Sequence, residues 1–140
     1  MRLFILLTGL VLNSCQEPAW SQESSWQYLG VFKATAYCSC SKCCGKSDGI
    51  TASGKQASTG TIACNWLPFG TKLKYAPRAS NSKEIAFKQY PIGTVLDRGA
   101  KSLFGSKYKH IKHIDLWMPT HHQAQVYGVR WVKVWVQNAP

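Results

Sequence analysis

Acidic residues are scarce enough in this 140-residue chain that its candidates for proton chemistry emerge by elimination. Only 6 Asp and Glu stand against 17 Lys and Arg, a formal net charge of +11. Glu17 and Glu23 fall in a Ser- and Gln-rich stretch, which leaves Asp48, Glu84, Asp97 and Asp115. Asp48 precedes Gly49 in a turn-like setting, and Glu84, flanked by lysines, reads as a solvated surface charge. Asp97 follows the apolar run Thr94-Val95-Leu96 and precedes Arg98-Gly99, so a strand would deliver its carboxylate to an open turn. Asp115 lies between Ile114 and Leu116 and therefore on the opposite face of a strand from both. Two carboxylates at strand ends suit general acid and base work when burial or mutual repulsion raises one pKa. The same two residues could equally pair with Arg98, cap a turn or satisfy buried backbone donors.

Five cysteines, at 38, 40, 43, 44 and 64, form a C-x-C-x2-C-C cluster with one remote thiol, and a sixth stands at position 15. In an oxidising compartment such thiols are disulfide candidates, and an odd number leaves one over. A vicinal Cys43-Cys44 bridge would be strained, whereas a bridge from the cluster to Cys64 is plausible, and the sequence does not fix the pairing. Zinc is the alternative, but ligands so crowded along the chain are poorly spaced to surround one ion. The sequence therefore assigns no metal and no cofactor. Histidines 110, 113, 121 and 122 read as surface or substrate-contacting groups, because a spacing of three on a strand puts side chains on opposite faces. Trp66, Trp117, Trp131 and Trp135 read mainly as core, with one or two available to stack on a sugar.

The elements that must position these groups are short. Residues 1–14 carry Arg2 and an apolar run from Leu3 to Leu12, the pattern of a secretory signal and too short to span a bilayer. Leu12-Asn13-Ser14-Cys15 resembles a bacterial lipobox, which makes Cys15 the expected lipidation site. Residues 15–27 then read as a tether, and 28–140 as one domain. Strand-like segments are expected near Gly30–Tyr37, Gly70–Tyr75, Lys83–Tyr90, Gly93–Asp97, Ile111–Trp117 and Gly128–Val136, with a loop over Ala76–Ser82. Thr120 as N-cap, Gln123 three residues on and Gly128 as a stop predict one short helix between the last two. Many short strands with a single helix suggest an all-β protein, a small closed barrel.

Five ordered motifs carry a family resemblance. They are Ala34-Thr35-Ala36-Tyr37-Cys38, Gly49-Ile50-Thr51-Ala52-Ser53-Gly54, Leu67-Pro68-Phe69-Gly70-Thr71, Val95-Leu96-Asp97-Arg98-Gly99-Ala100 and His113-Ile114-Asp115-Leu116-Trp117. Together, from about Thr35 to Val136, they resemble the three-aspartate (3D) domain and the related rare lipoprotein A family. Both are similar in their catalytic barrel to membrane-bound lytic transglycosylase A. The resemblance implies a six-stranded double-psi β-barrel that cleaves peptidoglycan glycan strands. Asp97 and Asp115 match two family aspartates. The third would lie just before Leu67-Pro68, where this chain has Asn65 and no carboxylate. A basic insertion, Lys101–Lys112, also lengthens the link between Asp97 and Asp115.

The implied reaction uses one carboxylic acid to protonate the bond between N-acetylmuramic acid and N-acetylglucosamine, leaving a 1,6-anhydro end. The open, glycine-flanked turn favours Asp97 as that acid, with Asp115 holding geometry. Thr51, Ser53 and Asn65 are the candidate substrate contacts. The expected partners are glycan strands and, through the lipid, a bacterial membrane facing the periplasm or wall, with the protein acting as a monomer. Nucleic acid is disfavoured by compartment. Asn65 keeps a rival open, a glycan-binding module without catalysis, and the cysteines keep open a metal or redox lipoprotein.

Overall fold

The computed structural model describes residues 25–78, 91–100 and 111–138. Within them lie β1 (Trp26–Tyr37), a single helical turn α1 (Ser41–Cys44), β2 (Thr61–Ala63), β3 (Lys72–Pro77), β4 (Ile92–Asp97), β5 (His113–Trp117), the helix α2 (His121–Tyr127) and β6 (Arg130–Gln137). The strands close into a barrel in the order β1-β5-β2-β4-β3-β6. The pairs β1/β5 and β2/β4 are parallel and the other four are antiparallel. The expected all-β six-stranded barrel is therefore present, with one helical turn more than the sequence suggested.

The period of two in the strands fixes which side chains fill the barrel. Val132 and Val134 of β6 point inward to meet Phe32 and Ala34 of β1, Ile114 and Leu116 of β5, and Ile62, Leu73 and Val95. The interior is narrow between β2 and β4. A Cβ added to Gly93 would lie 2.5 Å from Ile62 Cδ1 and 2.8 Å from the Gly60 carbonyl oxygen, so only glycine allows that approach.

Boundaries differ from expectation where pairing outweighs local sequence. β1 begins at Trp26, two residues before the expected domain start, because Trp26 and Gln27 pair with Gln137 and Val136. Ala76 and Pro77 belong to β3 rather than to a loop, held by Lys133 and Val132. β2, three residues long, has too little sequence to show a period. The helix follows its signals: Thr120 Oγ1 accepts from the Gln123 N–H at 3.2 Å, and Gly128 ends it with φ 61°. The expected strand at 83–90, most of the basic insertion, the signal and Cys15 lie outside the described residues.

Candidate functional site

Parallel pairing of β1 with β5 and of β2 with β4 makes Tyr37, Asp97 and Asp115 converge at one end of the barrel. In register, Thr35 faces Asp115, while Ala63 on β2 has Asp115 on one side and Asp97 on the other. At the spacing of neighbouring strands, the two aspartate Cα atoms are roughly 10 Å apart. The small Ala63 side chain leaves room between them. A cleft of about 430 Å³ opens there, lined by Tyr37, Ala63, Asp97 and Asp115 and walled by Cys43 and Cys44.

The two carboxylates have different surroundings. Asp97 Oδ1 accepts from the N–H groups of Ala52 and Arg98, each at 2.8 Å, and its Oδ2 accepts from the Tyr37 hydroxyl at 2.8 Å. Tyr37 is thereby held well above the usual phenol range, by burial first and then by the neighbouring Asp97. Asp115 Oδ1 accepts from Thr35 Oγ1 at 2.8 Å. Burial pushes the Asp115 carboxyl up from 3.8 to about 6; the Thr35 bond opposes the rise and the charge of Asp97 adds to it.

Behind Asp115 stands a residue the sequence reading misplaced. His113 is buried rather than on the surface, 4 % exposed, with Nε2 at 2.7 Å from Thr35 Oγ1. Burial, then the charge of Lys33, lowers its pKa to about 4, so it is neutral at physiological pH. Thr35 has one proton and gives it to Asp115, so its oxygen accepts from His113 and the imidazole proton sits on Nε2. Thr35 and Tyr37 are functional candidates not singled out from the sequence, and His113 joins them as a buried partner of Thr35. Their signal was available in the motifs, where each stands two residues from another polar member of the same strand face.

Of the expected substrate contacts, Thr51 lines the cleft, and Thr51, Ser53 and Asn65 all make bonds that shape its rim. Thr51 Oγ1 donates to the Lys55 carbonyl at 2.8 Å and is 3.0 Å from Ser53 Oγ, which closes the turn that aims the Ala52 N–H at Asp97. Asn65 grips Gly99 with both ends of its amide: Nδ2 donates to the Gly99 carbonyl at 3.1 Å and Oδ1 accepts from its N–H at 3.0 Å. Arg98 does not pair with the Asp97 side chain through its guanidinium. That group donates to the carbonyls of Cys64 and Leu67 and stacks 3.8 Å over Phe69. Asp48 is an exposed turn residue, accepting from Ile50 N–H at 2.9 Å and paired with Lys46.

Instead of disulfides, the described residues hold five free thiols. Cys64 is fully buried in the barrel core, Cys44 donates to the Cys38 carbonyl at 3.1 Å, and Cys38, Cys40 and Cys43 turn toward His121. Sequence spacing could not anticipate this, because His121 is contributed by a segment 78 residues beyond Cys43. His121 is therefore not simply a surface group, although His122 is exposed.

The chain matches no protein-family model and no curated protein. It is similar to solved structures of MltA from E. coli. One crystal structure is 20 % identical with a TM-score of 0.43, and a D308A lytic transglycosylase form of the same protein is 22 % identical with a TM-score of 0.42. These alignments cover 65 % and 64 % of this chain, and it spans only 28 % and 27 % of the MltA chains.

Proposed function

We propose that this protein is a peptidoglycan lytic transglycosylase with Asp115 as its acid and base. The observation that carries the reading is the pair of motif aspartates flanking Ala63 on the floor of one cleft, with the Asp115 carboxyl raised to about 6. Asp97 already accepts three hydrogen bonds, whereas among the described residues only Thr35 bonds the Asp115 carboxyl, and only on Oδ1. Oδ2 of Asp115 is left for a proton and a substrate oxygen. This reverses the preference for Asp97 that its open turn suggests from sequence.

The step balances without water. Asp115 gives its proton to the glycosidic oxygen as the bond from the muramoyl C1 breaks, releasing the N-acetylglucosamine hydroxyl. The muramoyl 6-hydroxyl oxygen attacks C1, and its proton passes to the Asp115 carboxylate, which restores the acid. Asp97 stabilises positive charge developing at C1 and, with Tyr37, fixes the far wall. The Thr35–His113 relay holds Oδ1 in place. A second reading, a glycan-binding module, is favoured by Asn65 at the place of a family aspartate. The basic balance and the signal-like N-terminus with Cys15 fit an envelope lipoprotein under either reading.

Incubating the full chain with purified sacculi and analysing the released material by mass spectrometry tests the proposal. Muropeptides lighter by one water, absent with Asp115→Asn, are the expected result. Retention on sacculi without release would leave the binding module.

A further inference from the structure

Outside the carboxylate cleft, the most unusual chemistry lies where β1 leaves the barrel. Tyr37 and Trp117 are register partners at the parallel ends of β1 and β5, so the segments that follow them, Cys38–Cys44 and Met118–His121, emerge side by side. Two bonds fix the exit: the Met118 N–H donates to the Tyr37 carbonyl at 2.7 Å, and Trp117 Nε1 donates to Ser39 Oγ at 2.8 Å. Cys38, Cys40, Cys43 and His121 then present their ligand atoms within 4.8 Å of one another.

We propose that Cys38, Cys40, Cys43 and His121 form a closed, tetrahedral zinc site that clamps the cysteine loop to the start of α2. The distances carry the argument. With Zn–S near 2.3 Å and Zn–N near 2.0–2.1 Å, a tetrahedron has S–S edges of about 3.8 Å and S–N edges of about 3.6 Å. Cys38 Sγ lies 3.6 Å from Cys43 Sγ, and the three sulfurs of Cys43, Cys40 and Cys38 lie 3.3, 3.5 and 3.9 Å from His121 Nδ1. Hydrogen bonding alone does not account for this geometry, since an imidazole nitrogen has one lone pair and three thiols converge on it. Disulfides do not account for it either, because a bonded pair of sulfurs is about 2.05 Å apart and one of three would remain unpaired.

The turn that carries the ligands is fixed by backbone bonds: the N–H groups of Cys43 and Cys44 donate to the Cys40 carbonyl at 3.0 and 2.9 Å, which brings Cys40 and Cys43 together. Gly45, at φ 70°, turns the chain out of α1, and its N–H donates to the Ser41 carbonyl at 2.8 Å. Four protein ligands leave no open position, which marks a structural rather than a catalytic ion, and a sulfur-rich tetrahedral set suits zinc. Cys44, the next residue, stays outside the set and faces the cleft, so the clamp would fix one wall of that cleft. The proposal stands whether or not the cleft is catalytic.

The test is elemental analysis of the full chain, purified in detergent without chelators and under reducing conditions, together with its cobalt(II)-substituted spectrum. One zinc per chain is expected, with thiolate-to-cobalt charge transfer and intense tetrahedral ligand-field bands. Zinc should be lost in Cys40→Ser and His121→Ala, but kept in Cys44→Ser and in His121→Cys, which supplies a fourth thiolate. Because the loss variants could misfold, the unaltered chain and the two retaining variants decide the matter. Unaltered protein that takes up no added zinc chloride, or whose intact mass shows a disulfide within the cluster, overturns the proposal. Stoichiometric iron in place of zinc overturns the choice of metal.

Discussion

The carboxylate cleft and the thiol cluster both hang from the ends of β1 and β5, but their polar groups are satisfied in opposite ways. In the cleft, donors and acceptors of the chain itself are matched. Tyr37, Ala52 and Arg98 serve Asp97, and His113 serves Thr35, which serves Asp115. In the cluster, three sulfurs crowd one nitrogen that can accept once. A complete polar network is preorganised and needs only substrate, whereas an over-subscribed one needs something from outside the chain. Loss of the cleft's proton chemistry should therefore leave the cluster intact.

Asp115→Asn separates them most sharply. Loss of a general acid should lower glycan cleavage by roughly 10²–10⁴-fold while zinc content is unchanged. The same substitution should stabilise the fold at neutral pH. The Asp115 pKa is raised in the folded state, from 3.8 to about 6, so the native protein holds a proton there that the unfolded chain releases. Stability is therefore lost as pH rises through that window, and the loss is complete above it. The neutral amide should recover roughly 1–3 kcal/mol at pH 7 and nothing below the ordinary carboxylate range, measured by urea unfolding at both pH values. A variant that is both inactive and less stable at pH 7 would contradict the burial argument.

The pH profile of cleavage by the unaltered protein tests the same group without mutation. The acid must be protonated to begin the reaction, so cleavage should fall about tenfold per pH unit above the Asp115 pKa. The midpoint of that limb is expected at about 6. Thr35→Val should then move the limb upward, because the Thr35 bond is the one that lowers the Asp115 pKa. The variant also forfeits the bond to His113 Nε2 and should lose roughly 1–3 kcal/mol of stability. An unmoved limb would show that Thr35 does not hold Asp115 in solution.

These differences also explain what could be read from sequence. The barrel was legible because Val132 and Val134 alternate with Trp131 and Lys133, and because Thr120, Gln123 and Gly128 mark a helix by local chemistry alone. Asp97 and Asp115 stood out because so few acids compete with them. β2 and the cluster were not legible, for one reason: both depend on pairing between distant segments. Thr61–Ala63 is a strand because β4 and β5 flank it, and His121 meets the cysteines because β5 runs beside β1. Local spacing makes Cys38, Cys40, Cys43 and Cys44 look too crowded for one ion. The fold solves this by turning Cys44 away and importing the fourth ligand.

The smallest predicted effect bears on the position where a family aspartate would stand. In the structure the Asn65 amide both donates to and accepts from Gly99, and a carboxylate can only accept. Asn65→Asp should therefore set an oxygen against the Gly99 carbonyl and cost about 1–2 kcal/mol, read as a lowered melting temperature. Under the proposed mechanism cleavage should stay within a few-fold of the unaltered protein, because that mechanism assigns the proton to Asp115 and leaves Asn65 to hold the Asp97-Arg98-Gly99 turn. A large gain in activity on restoring the carboxylate would mean that this position takes part in the chemistry and that Asn65 marks a site turned from cleavage toward binding. An unchanged rate with a loosened turn would place Asn65 among the residues that shape the rim, as the paired bonds to Gly99 indicate.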